Sequence, residues 1–164
     1  MKNVVLIGMP GCGKSTCGVL AAKALCKEFV DTDLVIQQRE KMPLQAIINE
    51  KGNDYFAVAE ESAICGLKVE NAVVATGGSV VYSSKAMAHL SEHTCVIYLR
   101  ISFATMLKRI ADMSSRGILL REGESIDAMF HERESLYREY ADRIVDCDDN
   151  EIEETVSEIV KSVR

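Results

Sequence analysis

The chain has 164 residues, of which 19 are basic and 25 acidic, giving a formal net charge of −6. A chain of this length can form one domain that buries roughly two thirds of its surface without disulfides or metals. The acidic balance argues against nucleic acid or an anionic membrane as a general partner, and no apolar run reaches the length of a bilayer span. With no secretory segment at the start, we expect a cytoplasmic monomer that forms one domain over residues 1–164.

A glycine-rich motif follows the first predicted strand. Residues 4–7 are apolar and β-branched, which favours a buried strand, and residues 15–27 are rich in Ala, Leu and Lys, which favours a helix. Between them, the run Gly-Met-Pro-Gly-Cys-Gly-Lys-Ser at residues 8–15 matches G-x-x-x-x-G-K-[ST]. Its glycines let successive N–H groups converge on phosphate oxygens at the positive end of a helix. The motif therefore predicts a nucleotide-binding loop.

The side chains of this loop have separate predicted tasks. Lys14 should reach the β- and γ-phosphates of ATP, the Ser15 hydroxyl should bind Mg²⁺, and Thr16 lies close to the α-phosphate. The residues of the loop expected to contact the nucleotide are Gly11, Cys12, Gly13, Lys14, Ser15 and Thr16.

The cysteines fall into two groups. Four of them lie within apolar patterns and are predicted to be small core residues: Cys17, Cys26, Cys65 and Cys95. Cys12 differs, because it lies in the phosphate loop near a helix N-terminus, where thiols gain reactivity. Oxidation of Cys12 could therefore block nucleotide binding.

Further short apolar runs alternate with helical patterns along the chain. They occur at residues 28–30, 72–75, 95–99 and 143–145. Together with residues 4–7 they predict an α/β fold, in which a five-stranded parallel sheet is covered by helices on both faces. Functional loops gather at the carboxyl ends of such strands, so the loops after these runs should share one cleft.

Two segments fit the sheet poorly. Residues 32–67 contain a predicted helix pair, which could form a substrate-binding subdomain. Residues 112–123 are polar, basic and glycine-bearing, and they resemble a mobile lid over the cleft. Within this segment, Arg116 and Arg121 could stabilise charge on a transferring phosphoryl group, although a solvated loop could hold both without such a role.

Two further motifs follow predicted strands. Asp31 could hold Mg²⁺ through water, and Asp33 could accept a hydrogen bond from a substrate hydroxyl and serve as base, or it could cap the helix that begins near Leu34. The glycine pair Gly77-Gly78 follows the third strand and could present backbone N–H groups to an anion.

Three charged residues in predicted helices have the spacing of surface positions. From spacing alone, Arg133 belongs to a solvated helix face, and Glu60 and Glu61 belong to the polar side of another. None of the three is predicted from the sequence pattern to contribute to the site.

With these residues assembled, the chain resembles the shikimate kinases, which are small P-loop kinases related to nucleoside monophosphate kinases. The resemblance runs nearly end to end. It rests on G-M-P-G-C-G-K-S-T at residues 8–16, D-T-D at 31–33, F-x-x-x-E-E at 56–61, T-G-G at 76–78, an arginine before Leu-Leu at 116–120, and R-x-x-L-Y at 133–137. It implies a sheet order of 2-3-1-4-5 and ATP-dependent phosphorylation of shikimate.

The resemblance also assigns residues by position. It implies that Lys14, Ser15 and Asp31 bind ATP and Mg²⁺ and that Arg109 stacks on adenine. Arg116 corresponds to the arginine of the lid. The residues implied to bind shikimate are Asp33, Gly77, Gly78, Ser79 and Arg133. Arg133 is implied to bind the carboxylate of shikimate.

Two departures from the family pattern concern the acceptor. The family has an arginine after the Phe56 position, where this chain has Ala57, and a third glycine where this chain has Ser79. A lost charge-assisted contact is worth ~1.5–3 kcal/mol. The chain could be a weak shikimate kinase, could compensate through Arg39 or Lys51, or could use another hydroxylated acceptor. A P-loop NTPase and a nucleotide-binding regulator without kinase activity are the further alternatives.

Overall fold

The computed structural model describes residues 2–111 and 120–164. In this part of the chain, five strands form one sheet: β1 (Asn3–Ile7), β2 (Glu28–Asp31), β3 (Ala72–Ala75), β4 (Thr94–Arg100) and β5 (Arg143–Asp146). Their order is β2-β3-β1-β4-β5, and every neighbouring pair is parallel. The predicted fold class and sheet order are confirmed.

The central strand β1 lies in register with both neighbours. Val5 stands opposite Val74 of β3 and Val96 of β4. All three side chains are buried. Such burial on both faces explains why β1 and β3 are almost purely apolar, because helices cover a parallel sheet on its two sides.

Seven α-helices complete the described part of the chain. They are α1 (Lys14–Leu25), α2 (Thr32–Glu40), α3 (Leu44–Cys65), α4 (Ser84–Ser91), α5 (Phe103–Ala111), α6 (Ile126–Tyr140) and α7 (Ile152–Val163). Helix α1 packs on β3 and α7, and α3 packs on α2 and α4. Within the described ranges, no helix combines the length and the apolar character needed to cross a bilayer.

The core prediction for the cysteines holds for Cys17 but is wrong for Cys26. Helix α1 ends two residues before its predicted end, because Cys26 adopts a left-handed conformation with φ of 54°. Its side chain is exposed, whereas Cys65 and Cys95 are half-buried. An apolar pattern at a helix terminus therefore did not indicate burial here.

The predicted helix pair at residues 32–67 corresponds to α2 and α3. These helices have a small apolar cluster of their own, formed by Ile36, Ile47, Phe56 and Ala63. Helix α3 is interrupted at Gly52, whose φ of 85° and ψ of 171° lie outside the helical region. The pair therefore forms a separately packed wall next to the carboxyl ends of β1, β2 and β3.

Candidate active site

The phosphate loop is held tightly against the sheet. Gly8 has a φ of 152°, and a Cβ atom there would lie only 2.6 Å from the carbonyl oxygen of Leu99. Gly13 occupies the N-cap of α1 in the left-handed region, with a φ of 96°. Both positions favour glycine, which explains their place in the motif.

Lys14 lies across this loop. Its Nζ donates hydrogen bonds to the carbonyl oxygens of Gly8, at 2.7 Å, and Met9, at 2.9 Å. The side chain is buried. The ammonium is therefore held next to the N-terminus of α1, where both its charge and the helix dipole favour an anion.

Two residues predicted to contact the nucleotide, Cys12 in the loop and Arg109 beside it, are not among the residues that line the cavity next to the loop. Cys12 is buried, and its backbone N–H donates to the carbonyl oxygen of Met9 at 3.2 Å. Burial removes the thiol from solvent, which counts against the hypothesis of ready oxidation. Arg109 on α5 donates to the carbonyl oxygens of Gly11, at 2.9 Å, and Cys147, at 3.3 Å.

A hydroxyl and a carboxylate meet at the predicted metal position. The Ser15 hydroxyl donates to Oδ2 of Asp31 at 3.0 Å. Hard oxygen donors of this kind are the ligands that Mg²⁺ takes in phosphate sites, so these residues fit the ion.

Asp31, and not Asp33, caps helix α2. Oδ1 of Asp31 accepts a hydrogen bond from the backbone N–H of Asp33 at 2.9 Å, and α2 begins at Thr32. The alternative that Asp33 caps this helix is therefore wrong. Its side chain belongs to the first turn and is directed toward the neighbouring cavity.

One cavity of about 670 Å³ joins the phosphate loop to the wall formed by α2 and α3. The predicted site residues that line it are Gly11, Gly13, Lys14, Ser15, Thr16, Asp31, Asp33, Gly77, Gly78, Ser79 and Arg133. The structure thus brings residues that are distant in sequence to one place, at the carboxyl ends of β1, β2 and β3, as expected for a parallel sheet.

The glycine pair permits close approach of charged side chains to the backbone. A Cβ atom at Gly77 would lie 3.0 Å from both Oδ1 of Asp33 and Oε2 of Glu60. A Cβ atom at Gly78 would lie 2.9 Å from a guanidinium nitrogen of Arg133. Larger residues at either position would displace the charged groups at this end of the cavity.

Arg133 is not the surface residue that its spacing predicts. It lies on α6 and is only 2% exposed. Its guanidinium faces the ring of Tyr82, with 5.4 Å between the central carbon and the ring centroid. The buried side chains of α6 are Met129, Phe130, Arg133 and Tyr137, so the arginine lies on the apolar stripe of its helix.

Glu60 is the functional candidate that the sequence analysis missed. It is 5% exposed, lines the cavity, and accepts a hydrogen bond from the Ser79 hydroxyl through Oε1 at 2.9 Å. Burial raises the pKa of Glu60 from 4.5 to about 7; the Ser79 hydrogen bond opposes this rise, the charge of Asp33 adds to it, and Arg133 opposes it.

A signal for Glu60 was present in the sequence. It follows Phe56 by four positions and precedes Ala63 by three, so it lies on the buried stripe of α3. A charged residue on such a stripe is expensive to bury and is therefore a candidate for function.

The acceptor end of the cavity is apolar on one side and has few cationic side chains. Its apolar lining comes from Leu34, Pro43, Leu44, Ile48 and Phe56. Among the described residues, Lys14 and Arg133 are the cations that line the cavity.

Neither predicted compensating cation lies in this lining. Arg39 donates to the carbonyl oxygen and the hydroxyl of Ser62. Lys51 pairs with Glu40 and contacts the Tyr55 hydroxyl. The hypothesis that one of them replaces the missing arginine is therefore wrong.

Only the end of the predicted lid can be placed. Arg116 lies outside the described residues. Arg121 pairs with Glu132 at 3.0 Å and stacks on the Tyr82 ring, with 4.7 Å from its central carbon to the ring centroid. The carbonyl oxygen of Leu120 accepts a hydrogen bond from Asn53 of α3 at 2.8 Å. The end of the predicted lid segment therefore contacts helices α3 and α6 and the Tyr82 ring.

Comparisons with known proteins point to one family. The family model described as shikimate kinase matches residues 10–164. A shikimate kinase of Clostridium botulinum (strain Alaska E43) is 36% identical, with 99% of this chain and 98% of that protein covered. One from Caldanaerobacter subterraneus subsp. tengcongensis is 33% identical, with 99% and 96% covered.

Solved structures give the same result. Shikimate kinase from Acinetobacter baumannii in complex with shikimate has a TM-score of 0.89 at 25% identity, with 99% of this chain and 93% of that chain covered. Shikimate kinase from Aquifex aeolicus has a TM-score of 0.85 at 32% identity, with 98% and 95% covered. Sequence and fold agree over nearly the whole length, and the chain belongs to the shikimate kinase family of ATP-dependent small-molecule kinases.

Proposed function

We propose that this protein transfers the γ-phosphoryl group of ATP to a hydroxyl of shikimate, forming shikimate 3-phosphate and ADP. The observation that carries the proposal is that the phosphate loop faces Asp33 and Arg133 across one continuous cavity. Family membership and a related structure that contains shikimate support the choice of acceptor.

The cavity residues divide the work between the two substrates. Gly11, Gly13, Lys14, Ser15 and Thr16 form the ATP side. Cys12 of the same loop and Arg109 beside it, which meets adenine, are the further residues proposed to contact the nucleotide. On the acceptor side, the cation of Arg133 is the partner for the carboxylate, and Asp33 accepts a hydrogen bond from the hydroxyl that reacts. Gly77, Gly78 and Ser79 form a backbone turn that lines the cavity next to the side chains of Asp33 and Arg133.

Ser15 and Asp31 are the residues that would hold Mg²⁺. The ion supplies charge neutralisation for the phosphates. The hydrogen bond between these residues shows that a hydroxyl and a carboxylate already lie together at the loop.

The transfer itself needs alignment and charge stabilisation more than covalent help from the protein. The acceptor oxygen forms a bond to the γ-phosphorus while the bond from that phosphorus to the bridging oxygen of ADP breaks. Asp33 orients the acceptor hydroxyl. The proton of that hydroxyl leaves late in the reaction, either to Asp33 or to solvent. Lys14 stabilises the transferring charge, and Arg116 in the lid adds to this on closure.

We propose further that the protein acts as a cytoplasmic monomer on small molecules alone. The net charge of −6 counts against nucleic acid and anionic membranes as partners. Light scattering during size-exclusion chromatography tests the oligomeric state.

Coupled measurement of ADP release tests the function, with shikimate and other polyols or hydroxy acids as acceptors. We expect shikimate to stimulate ADP release at least about tenfold over ATP alone, well above the effect of one weak contact. If only another compound stimulated ADP release, that compound and not shikimate would be the acceptor. Equal ATP turnover with and without any acceptor would identify an NTPase, and no turnover would leave a nucleotide-binding regulator.

A further inference from the structure

One aromatic ring behind the acceptor end of the cavity contacts two arginine side chains. Tyr82 ends a short 3-10 helix, Val80–Tyr82, which directly follows the turn at residues 77–79. The central guanidinium carbon of Arg133 lies 5.4 Å from the centroid of the Tyr82 ring, and that of Arg121 lies 4.7 Å from it. Both distances are within the range of a cation–π interaction, so the ring attracts both cations.

The ring of Tyr82, and not its hydroxyl, makes these contacts. Within the described ranges, the hydroxyl oxygen is buried and has no hydrogen-bond partner. A buried hydroxyl without a partner lowers the stability of the fold, so this oxygen gives no reason for a tyrosine at the position. The aromatic face is therefore the part of Tyr82 that acts on the two arginines.

A neutral ring is a suitable support for a cation that must bind the carboxylate of an acceptor. Arg133 is buried and lines the cavity, and a Cβ atom at Gly78 would lie 2.9 Å from its guanidinium. A carboxylate held next to a guanidinium neutralises its charge, whereas an aromatic face attracts the cation and carries no net charge. Tyr82 can therefore hold Arg133 in place and leave its charge available to a bound anion.

Arg121 brings a second positive charge to the same ring. Its exposed side chain pairs with Glu132, the residue before Arg133 on α6. The two guanidinium carbons are separated at most by the sum of their distances to the ring centroid. Like charges this close repel each other, and an anion bound at Arg133 relieves the repulsion. Binding of an anionic acceptor and the contact of Arg121 with Tyr82 should therefore strengthen each other.

We propose that Tyr82 is a positioning residue for an anionic acceptor: its ring holds the guanidinium of Arg133 at the cavity, and through Arg121 it adds a second cation nearby. This inference rests on the proposed function, in which Arg133 binds the carboxylate of shikimate. Arg121 supplies, from the connection before α6, part of the positive charge that the alanine at position 57 does not provide.

The test is the KM for shikimate at saturating MgATP in two variants of Tyr82. Tyr82→Leu removes the aromatic face, whereas Tyr82→Phe keeps it and removes the unbonded hydroxyl. We expect KM to rise about 5- to 30-fold in Tyr82→Leu, with kcat and the affinity for MgADP unchanged. Tyr82→Phe should restore the wild-type KM. A wild-type KM in Tyr82→Leu, or an equal rise in Tyr82→Phe, would overturn the proposal.

Methyl shikimate, an ester without the negative charge, separates positioning from a merely structural role. Its inhibition constant against shikimate should be nearly the same in the wild type and in Tyr82→Leu, because a neutral ligand makes little use of the charge of Arg133. Equal losses of affinity for the ester and for shikimate would contradict the proposal.

The matched control is Tyr55→Leu. It removes a similar contact on α3, in which Nζ of Lys51 lies 4.5 Å from the centroid of the Tyr55 ring. Tyr55 is not among the described residues that line the cavity. This variant should therefore keep the wild-type KM for shikimate.

Arg121→Gln keeps the proposal testable if Tyr82→Leu does not fold, because the side chain of Arg121 is exposed. Loss of this cation should raise KM about two- to fivefold at low ionic strength. The rise should shrink in concentrated salt, which screens exposed charges. An unchanged KM at low ionic strength would contradict the proposal. Absence of shikimate-stimulated ADP release in the wild type would instead contradict the proposed function, so the two failures are distinguishable.

Discussion

The two ends of the cavity are built in different ways. The nucleotide end comes from one continuous run, residues 8–16, between a buried strand and the helix that follows it. The acceptor end is assembled from single residues on separate elements, namely Asp33 on α2, Glu60 on α3, Ser79 after β3, and Arg133 on α6.

This difference separates what is general from what is specific in the enzyme. A loop of backbone N–H groups can bind the phosphates of any nucleoside triphosphate. The acceptor end relies on a few charged side chains, so the loss or gain of one charge changes which acceptor binds. We therefore expect substitutions at the two ends to affect different kinetic constants.

The largest expected effect is that of Lys14→Met at the nucleotide end. Removing one preorganised cation from the transferring group should lower kcat about 10²- to 10³-fold while shikimate binding changes little. Steady-state kinetics and shikimate titration measure the two quantities. Lys23→Met is the control, because Lys23 is exposed on the same helix α1 and should leave kcat unchanged. A Lys14→Met enzyme with near wild-type kcat would show that Lys14 does not stabilise the transferring phosphoryl group.

Glu60 at the acceptor end should lower the stability of the fold as pH rises. Its pKa is raised from 4.5 to about 7, so the folded state holds the proton more tightly than the unfolded state. The protonated carboxyl group therefore stabilises the folded state fully below about pH 4.5, and this stabilisation is lost as the pH rises through 7. Relative to Glu60→Gln, the free energy of unfolding of the wild type should fall by about 3 kcal/mol between pH 4.5 and pH 8.

Urea unfolding at several pH values measures this difference. Glu61→Gln is the control, because the Glu61 carboxylate accepts from Ser83 outside the cavity, and it should follow the wild type. A difference between wild type and Glu60→Gln that stays constant with pH would show that burial does not perturb this carboxyl group.

Arg133→Lys should affect the acceptor end alone. The lysine keeps the charge but loses the bidentate geometry toward a carboxylate, and a charge-assisted contact is worth ~1.5–3 kcal/mol. The KM for shikimate should therefore rise about 10- to 150-fold, with the affinity for MgADP unchanged. Arg138→Lys is the control, since Arg138 pairs with Glu134 on the outside of α6. Parallel loss of MgADP binding would contradict the division between the two ends.

The smallest expected effect is a gain from Ala57→Arg. Ala57 is exposed on α3, three residues before Glu60, a spacing that lets an arginine reach that carboxyl group. A second cation at the acceptor end should lower the KM for shikimate about tenfold. Ala59→Arg, two positions along the same helix, tests whether any added cation suffices. An unchanged KM in Ala57→Arg would mean that the missing arginine does not limit acceptor binding.

The sequence predicted the sheet and the nucleotide end well because both depend on local patterns. Apolar runs of three to five residues marked the strands, and the glycine spacing marked the loop, so neither needed knowledge of distant contacts. The family resemblance added the strand order and the acceptor residue Arg133, which spacing alone did not identify.

What the sequence did not predict depends on burial produced by tertiary packing. Glu60 and Arg133 occupy the apolar stripes of their helices. Because both side chains are charged, the sequence pattern assigned them to the solvent-facing side instead. The pairing of Ser79 with Glu60 joins residues nineteen positions apart through the packing of α3 beside β3. Arg39 and Lys51 had suitable charge but bind elsewhere on the surface.

Calorimetric titration of MgADP and shikimate into one sample tests the central claim most directly, since both ends belong to one cavity in this account. We expect each to bind with a stoichiometry of one, and shikimate to bind whether or not MgADP is already present. Failure of the folded protein to take up MgADP, or displacement of one ligand by the other, would contradict it.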